Sequence, residues 1–132
     1  MWWLYFAKEA TRLLGSLRAA ITWGYGHYLV FASAAAVGAG LAVNVDHAVH
    51  HAHIGERAAG AAYTLPVALF LLVVWALQLQ PQHAGRRRST LVLAAAAAVL
   101  AAAFTPQPVL ITGLLVAAVV TATTRMLHRP AK

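Results

Sequence analysis

The sequence predicts an all-α integral membrane protein, a bundle of about four transmembrane helices preceded by an interfacial N-terminal helix. Three observations support this fold class. Of the 132 residues, 61% are hydrophobic and only 10% are charged. The apolar residues form long uninterrupted blocks, and the basic residues lie in the short connections between them. Soluble domains lack this pattern, so we expect one membrane domain over residues 1–132.

The N-terminal segment, residues 1–20, combines an aromatic cluster at residues 2–6 with the cations Lys8, Arg12 and Arg18. Aromatic and basic side chains together are typical of a helix that lies in the headgroup layer. The cluster could also be the end of a preceding membrane helix. A cleavable signal peptide is not expected, because the apolar residues come before the cations instead of after them.

The first span is predicted at about residues 21–43. From Trp23 to Val43 it has 21 residues without Lys, Arg, Asp or Glu, a helix of about 31 Å that would cross a bilayer core. Small residues recur at four-residue intervals along it, which favours close contact with another helix. The packing positions predicted in this way are Ala32, Ala36, Gly38 and Gly40.

The second span is predicted at about residues 61–79, with Pro66 in its first turn, where the loss of an N–H group costs little. Residues 90–104 and 109–124 form two further apolar blocks around a Thr-Pro-Gln-Pro turn. Both blocks are slightly shorter than the usual spanning length of about 17 to 25 residues. They either cross the membrane with arginines snorkelling to the interface, or form a re-entrant hairpin. We favour crossing, because loop backbone exposed to hydrocarbon is not tolerated.

The distribution of cations predicts the topology. Four spans would place nine of the ten Lys and Arg residues on one side of the membrane and only Arg57 on the other. The positive-inside rule then puts both termini in the cytoplasm of a bacterial inner-membrane protein, with the histidine-rich loop outside. The run Arg86, Arg87, Arg88 would fix this topology and contact anionic lipid headgroups. The expected partner of these cations is the lipid bilayer and not nucleic acid, because the loop is so short.

Three stretches resemble the bacterial low temperature requirement A family: WWLYF at residues 2–6, WGYGHY at residues 23–28 and FASAAAVGAGL at residues 31–41. The resemblance implies a multi-spanning membrane protein of which this chain corresponds to the C-terminal third. It supplies no catalytic residue. One departure is Ala7 after the aromatic cluster, where the family often has an acidic residue.

One acidic and four histidine side chains lie within eight residues after the first span: Asp46, His47, His50, His51 and His53. If the helix continued past the membrane, Asp46 with His50 and His47 with His51 would be i,i+4 pairs, and several ligands would face one ion. Zinc, nickel or copper(II) would suit such a set, and clustered imidazoles could instead sense protons. The alternative is a solvated helix extension without a ligand. We therefore expect no cofactor, with a transition metal at these residues as the alternative.

His27 lies near the start of the first span, next to Tyr25 and Tyr28. An ionisable side chain inside a span is a functional candidate, and the two tyrosines could share a polar site with it. The alternative is a neutral histidine whose hydrogen bonds are satisfied at the membrane interface.

Enzyme signatures are missing from the sequence. The chain has three acidic residues, none of them within an apolar block, and no phosphate-binding loop, nucleophile elbow or HExxH motif. We therefore expect a non-enzymatic membrane or stress-adaptation role, with association into homo-oligomers or with a larger membrane partner. The alternative is a transporter or channel-like subunit, or a sensor, that binds protons or a transition metal through the outward histidines.

Overall fold

The computed structural model describes residues 17–50, 53–79 and 86–127, and it confirms the all-α fold class. These residues form four helices: α1 (Leu17–Ala48), α2 (Glu56–Val74), α3 (Arg86–Ala102) and α4 (Pro108–Leu127). A π-helical turn, Trp75–Leu79, continues α2. The described ranges contain no β-strand.

Three helices of the described chain are long and apolar enough to cross a membrane: Gly24–Ala48, Glu56–Leu77 and Pro108–Arg125. The apolar part of α3, Arg88–Ala102, is shorter. At 1.5 Å per residue the whole of α3 is about 26 Å long, slightly less than a hydrocarbon core. The crossing of α3 and α4 therefore stays a prediction, and a crossing α3 would need its first arginines to reach the interface by snorkelling.

Helix α2 lies at the centre of the bundle and contacts the other three helices, whereas α1 packs mainly on α2. The main core forms between α2, α3 and α4. Its buried members are Val67, Ala68, Leu71, Val92, Ala95, Ala96, Val99 and Val119. Every one of these is aliphatic, so this part of the bundle is held by close packing.

The contact between α1 and α2 follows a seam with alternating spacings of four and three residues. Val30 packs in a cluster with Phe70 and Val74, and Ser33 is fully buried. The positions of α1 on this seam are Gly26, Val30, Ser33, Val37, Gly40 and Asn44. An alternation of four and three residues, which is a seven-residue repeat, is typical of left-handed helix packing with a small crossing angle.

Helix α2 begins five residues earlier than predicted, at Glu56 instead of residue 61. Gly55 stands at its N-cap, and its carbonyl accepts the N–H groups of Ala58 and Ala59. The carboxylate of Glu56 in the first turn is favourable beside the positive end of the helix dipole. The placement of Pro66 in the first turn was therefore wrong, because Pro66 lies inside the helix.

The other boundaries also shift. Helix α1 begins at Leu17, inside the segment predicted to be interfacial, and continues past Val43 to Ala48. The remainder of that interfacial prediction, residues 1–16, lies outside the described residues. Helix α1 has 32 residues and is therefore about 48 Å long, so it extends beyond the hydrocarbon core.

Candidate functional site

A cavity lined by both polar and apolar residues lies where α1 ends and where α2 and α4 begin. We call this end of the bundle the histidine end, and the opposite end, where α3 begins, the arginine end. The cavity has a volume of about 440 Å³. Its polar lining residues come from three separate stretches of the chain and are Asn44, His47, Glu56, Thr105 and Gln107. The apolar residues Ala59 and Pro108 also line it.

Asn44 connects α1 to α2 at this cavity. Its Nδ2 group donates to the carbonyl of Ala59 over 2.7 Å and to the carbonyl of Gly40, one turn back on its own helix, over 2.8 Å. Our sequence reasoning missed this residue. The available signal was an amide at the end of a long apolar block, a position where such side chains often bond across helices.

The end of α1 sets the position of the histidines. The helix stops at Ala48, and His50 has a left-handed backbone conformation with φ of 60°. Its N–H group donates to the carbonyl of His47 over 3.1 Å. A left-handed residue just after the last turn is a common helix stop. The helix therefore passes the predicted end of the span at Val43 but does not continue through His50.

The i,i+4 pairs proposed as metal ligands depended on that continuation. Asp46, His50 and His53 are exposed, and His51 lies outside the described residues. Within the described chain no three His, Cys, Asp or Glu side chains come together in a way that could hold a metal ion. The metal and proton hypotheses stay predictions, now without the helical geometry that suggested them.

Among the described histidines of this group, His47 is the one that turns toward the protein. It is half-buried and lines the cavity. Its Nδ1 atom is buried and has no hydrogen-bond partner in the described part of the chain. Glu56 lines the same cavity, so an imidazole and a carboxylate share one polar space.

The packing positions predicted on α1 lie in different environments. Gly40 is buried against α2, where an added Cβ atom would lie 2.7 Å from the carbonyl carbon of Ala62 and 2.8 Å from the Cα of Tyr63. An added Cβ atom at Gly38 would have no neighbour within 4 Å. Ala32 is exposed and Ala36 is half-buried. Of these four predicted positions, only Gly40 has an observed role in the close α1–α2 contact.

Pro66 accounts for part of the close approach at Gly40. Proline has no N–H group, so the carbonyl of Ala62, four residues earlier, does not receive the usual helical hydrogen bond. This carbonyl points at Gly40. Because Gly40 has no side chain, the carbonyl of Ala62 can contact the backbone of α1. Weak Cα–H···O interactions form in contacts of this kind.

The predicted intramembrane group near the arginine end is less compact than expected. His27 is half-buried and its Nε2 atom is enclosed by protein. Tyr25 and Tyr28 are 75% and 72% exposed. Next to His27, Gly26 lies against the side chain of Leu77. The two tyrosines therefore face outward, whereas the histidine lies at the edge of the α1–α2 contact.

The arginine end is closed by a bond between α2 and α3. The indole N–H of Trp75 donates to the hydroxyl of Ser89 over 2.5 Å. Arg88 is half-buried, and its Nε atom is buried without a hydrogen-bond partner in the described chain. The predictions for Arg86 and Arg87 concern side chains outside the described part of the structure.

The helical bundle and its apolar spans agree with one family model. The model for the bacterial low temperature requirement A protein (LtrA) matches residues 1–124. The chain belongs to the LtrA family. Comparisons with curated proteins and with solved structures give no match. The match covers α1, α2, α3 and all but the last three residues of α4. Family membership and the apolar helices fit a multi-span membrane protein of the LtrA family.

Proposed function

We propose that this LtrA chain is a non-enzymatic subunit of the bacterial inner membrane that works by associating with another copy of itself. The observation that carries the proposal is the unequal burial of α1. This helix packs mainly on α2, although it contains the longest apolar span of the described chain. Most of its surface is left for lipid or for another protein.

The character of the free surface favours protein as the neighbour. Ile21, Gly24, Tyr25 and Tyr28 line an open groove of about 560 Å³ near the arginine end. Further along the helix, Ala32 is exposed and Gly38 has open space around it. Small side chains between larger ones allow two membrane helices to approach closely and gain van der Waals contact.

The proposed orientation places both termini and the arginine end in the cytoplasm. It rests on the unequal distribution of cations between the two ends. The histidine end, with the cavity between α1, α2 and α4, would then face the outside.

Cysteine cross-linking tests the association, and the chain has no cysteine of its own. We expect the Gly38→Cys variant to form a disulfide-linked dimer in mild detergent and in membranes. The matched control is Leu100→Cys, also at an exposed helix position but on α3, which should stay monomeric. Monomers only for both variants would exclude association through α1. A cross-link of Gly38→Cys to a larger protein would replace self-association by a larger membrane partner.

A second candidate function is proton or metal sensing at the histidine end. The observation that favours it is the buried, unpaired Nδ1 atom of His47 in a cavity shared with Glu56. Titration with zinc, nickel and copper(II) should give weaker binding in the His47→Ala variant and unchanged binding in the exposed control His53→Ala. A double variant with His50 and His51 replaced by alanine tests the histidine cluster predicted from the sequence, residues 46–53. Unchanged affinity in every variant would remove the metal hypothesis.

A further inference from the structure

Two buried threonines differ from the other threonines of the bundle. Thr64 on α2 and Thr112 on α4 are both 0% exposed, and neither hydroxyl has a hydrogen-bond partner in the described chain. By contrast, Thr121 and Thr123 donate to carbonyls of their own helix. That bond is the usual way for a threonine to satisfy its hydroxyl inside a membrane helix. Leaving it unmade in a buried position costs free energy, so these two hydroxyls require another partner.

The packing of the helices places the two threonines at the same depth. Helices α2 and α4 both begin at the histidine end and run in the same direction. Near their starts they touch, since a Cβ atom added to Gly60 would lie 3.3 Å from the Cγ of Pro108. Thr64 and Thr112 each lie four residues further along, which is one turn deeper on the same face of its helix.

The cavity lies directly above this pair. Ala59 and Pro108 line the cavity, so the threonines are about one helical turn below it. On the other side of the pair the bundle closes with fully buried aliphatic residues. These are Val67, Leu71 and Val92.

The chemistry of the surroundings selects a neutral ligand. The buried polar side chains of the described chain are Ser33, Thr64, Thr112 and Thr123, and none of them is charged. An ion at the threonine pair would therefore have no counter-charge and would lose its hydration, which is strongly unfavourable. A hydroxyl both donates and accepts, and two of them supply the minimum that a buried water molecule needs.

We propose that water enters the bundle from the cavity at the histidine end and binds between Thr64 and Thr112. This inlet ends at the aliphatic layer one turn deeper, so a single chain holds a closed, one-sided water path and not a channel. The proposal is independent of the association through α1.

Accessibility of introduced cysteines tests the inlet without background labelling, because the native chain has no cysteine. A small water-soluble thiol reagent is added separately to each side of membrane vesicles. We expect full modification of the Thr64→Cys and Thr112→Cys variants from the histidine side, under conditions that leave the control Val92→Cys, in the aliphatic layer, unmodified. Reaction from the arginine side should be absent. Thr64→Cys and Thr112→Cys variants as unreactive as Val92→Cys would overturn the proposal.

The double variant Thr64→Val and Thr112→Val provides a second measurement if the cysteine variants do not fold. Valine keeps the shape of threonine and removes the hydroxyl. If the hydroxyls are dry and unpaired, their removal should raise the melting temperature, and that result would overturn the inlet. If they hold water, the melting temperature should stay the same or fall.

Discussion

A methyl group at position 40 would collide with the backbone of α2, which makes Gly40→Ala the sharpest test of the α1–α2 contact. The added carbon would lie 2.7 Å from the carbonyl carbon of Ala62 and 2.8 Å from the Cα of Tyr63. Ordinary carbon–carbon contacts are about 3.5 to 4.0 Å. The two helices would therefore have to separate by about 1 Å, because backbone atoms cannot rotate away as a side chain would.

The cost has two parts. Overpacking in a close contact destabilises by about 1 to 3 kcal/mol. Separation by about 1 Å would also lengthen the bond from Asn44 to Ala59, now 2.7 Å, beyond hydrogen-bonding range. Interhelical bonds of this kind in membranes contribute about 0.6 to 2 kcal/mol. Against this, alanine is a better helix former than glycine by about 1 kcal/mol.

The matched control is Gly113→Ala, on α4 and outside the α1 surface proposed for association. It gains the same helix propensity without a collision, because nothing lies within 4 Å of its new side chain. The propensity term then cancels, and Gly40→Ala should be less stable than Gly113→Ala by about 1.6 to 5 kcal/mol. Unfolding in detergent micelles, followed by circular dichroism, measures this difference. Equal stability of the two variants would refute the close contact at Gly40.

Three further predictions concern the two ends of the bundle. Asn44→Leu should lower the free energy of unfolding by about 0.6 to 2 kcal/mol. The control Thr121→Val should leave this free energy unchanged in the same assay, because the Thr121 hydroxyl bonds only within its own exposed helix face. Ser89→Ala should remove the acceptor of the Trp75 indole, cost about 1 kcal/mol and shift the tryptophan emission spectrum; an unchanged spectrum would argue against this bond. Replacing Arg86–Arg88 by glutamate should invert or scramble the orientation of the chain, which protease protection of a C-terminal tag measures, and an unaltered orientation would count against topology control by this run.

The sequence predicted what depends on composition. Apolar blocks without charged residues predicted the α-helical membrane fold, because a helix satisfies its own backbone hydrogen bonds in hydrocarbon. Three of the four described helices are long enough to cross a membrane. Boundaries were less accurate. Helix α2 begins five residues before the predicted span, with Gly55 as its N-cap and Glu56 in its first turn. The first turn of a helix needs no apolar residue, so the apolar pattern did not reveal this start.

The details of packing could not be read from the sequence. Small residues occur all around the first span, so Gly38 and Gly40 look equivalent until the position of α2 is known. The i,i+4 pairs of the histidine cluster required the helix to continue for three more residues, from Ala48 to His51, and the left-handed conformation of His50 interrupts it. Thr64 and Thr112 come from helices far apart in the chain, and only the Gly60–Pro108 contact reveals that they lie together.

The topology that we predict is four crossings of the membrane with the histidine end outside. Single cysteines at three connections test it in intact cells with a membrane-impermeant thiol reagent. Gly55→Cys and Pro106→Cys, both at exposed positions of the histidine end, should be labelled before permeabilisation, and Gly85→Cys only afterwards. Labelling of Gly55→Cys alone, with Pro106→Cys protected throughout, would contradict the crossing of α3 and α4 and would indicate that they form a re-entrant hairpin.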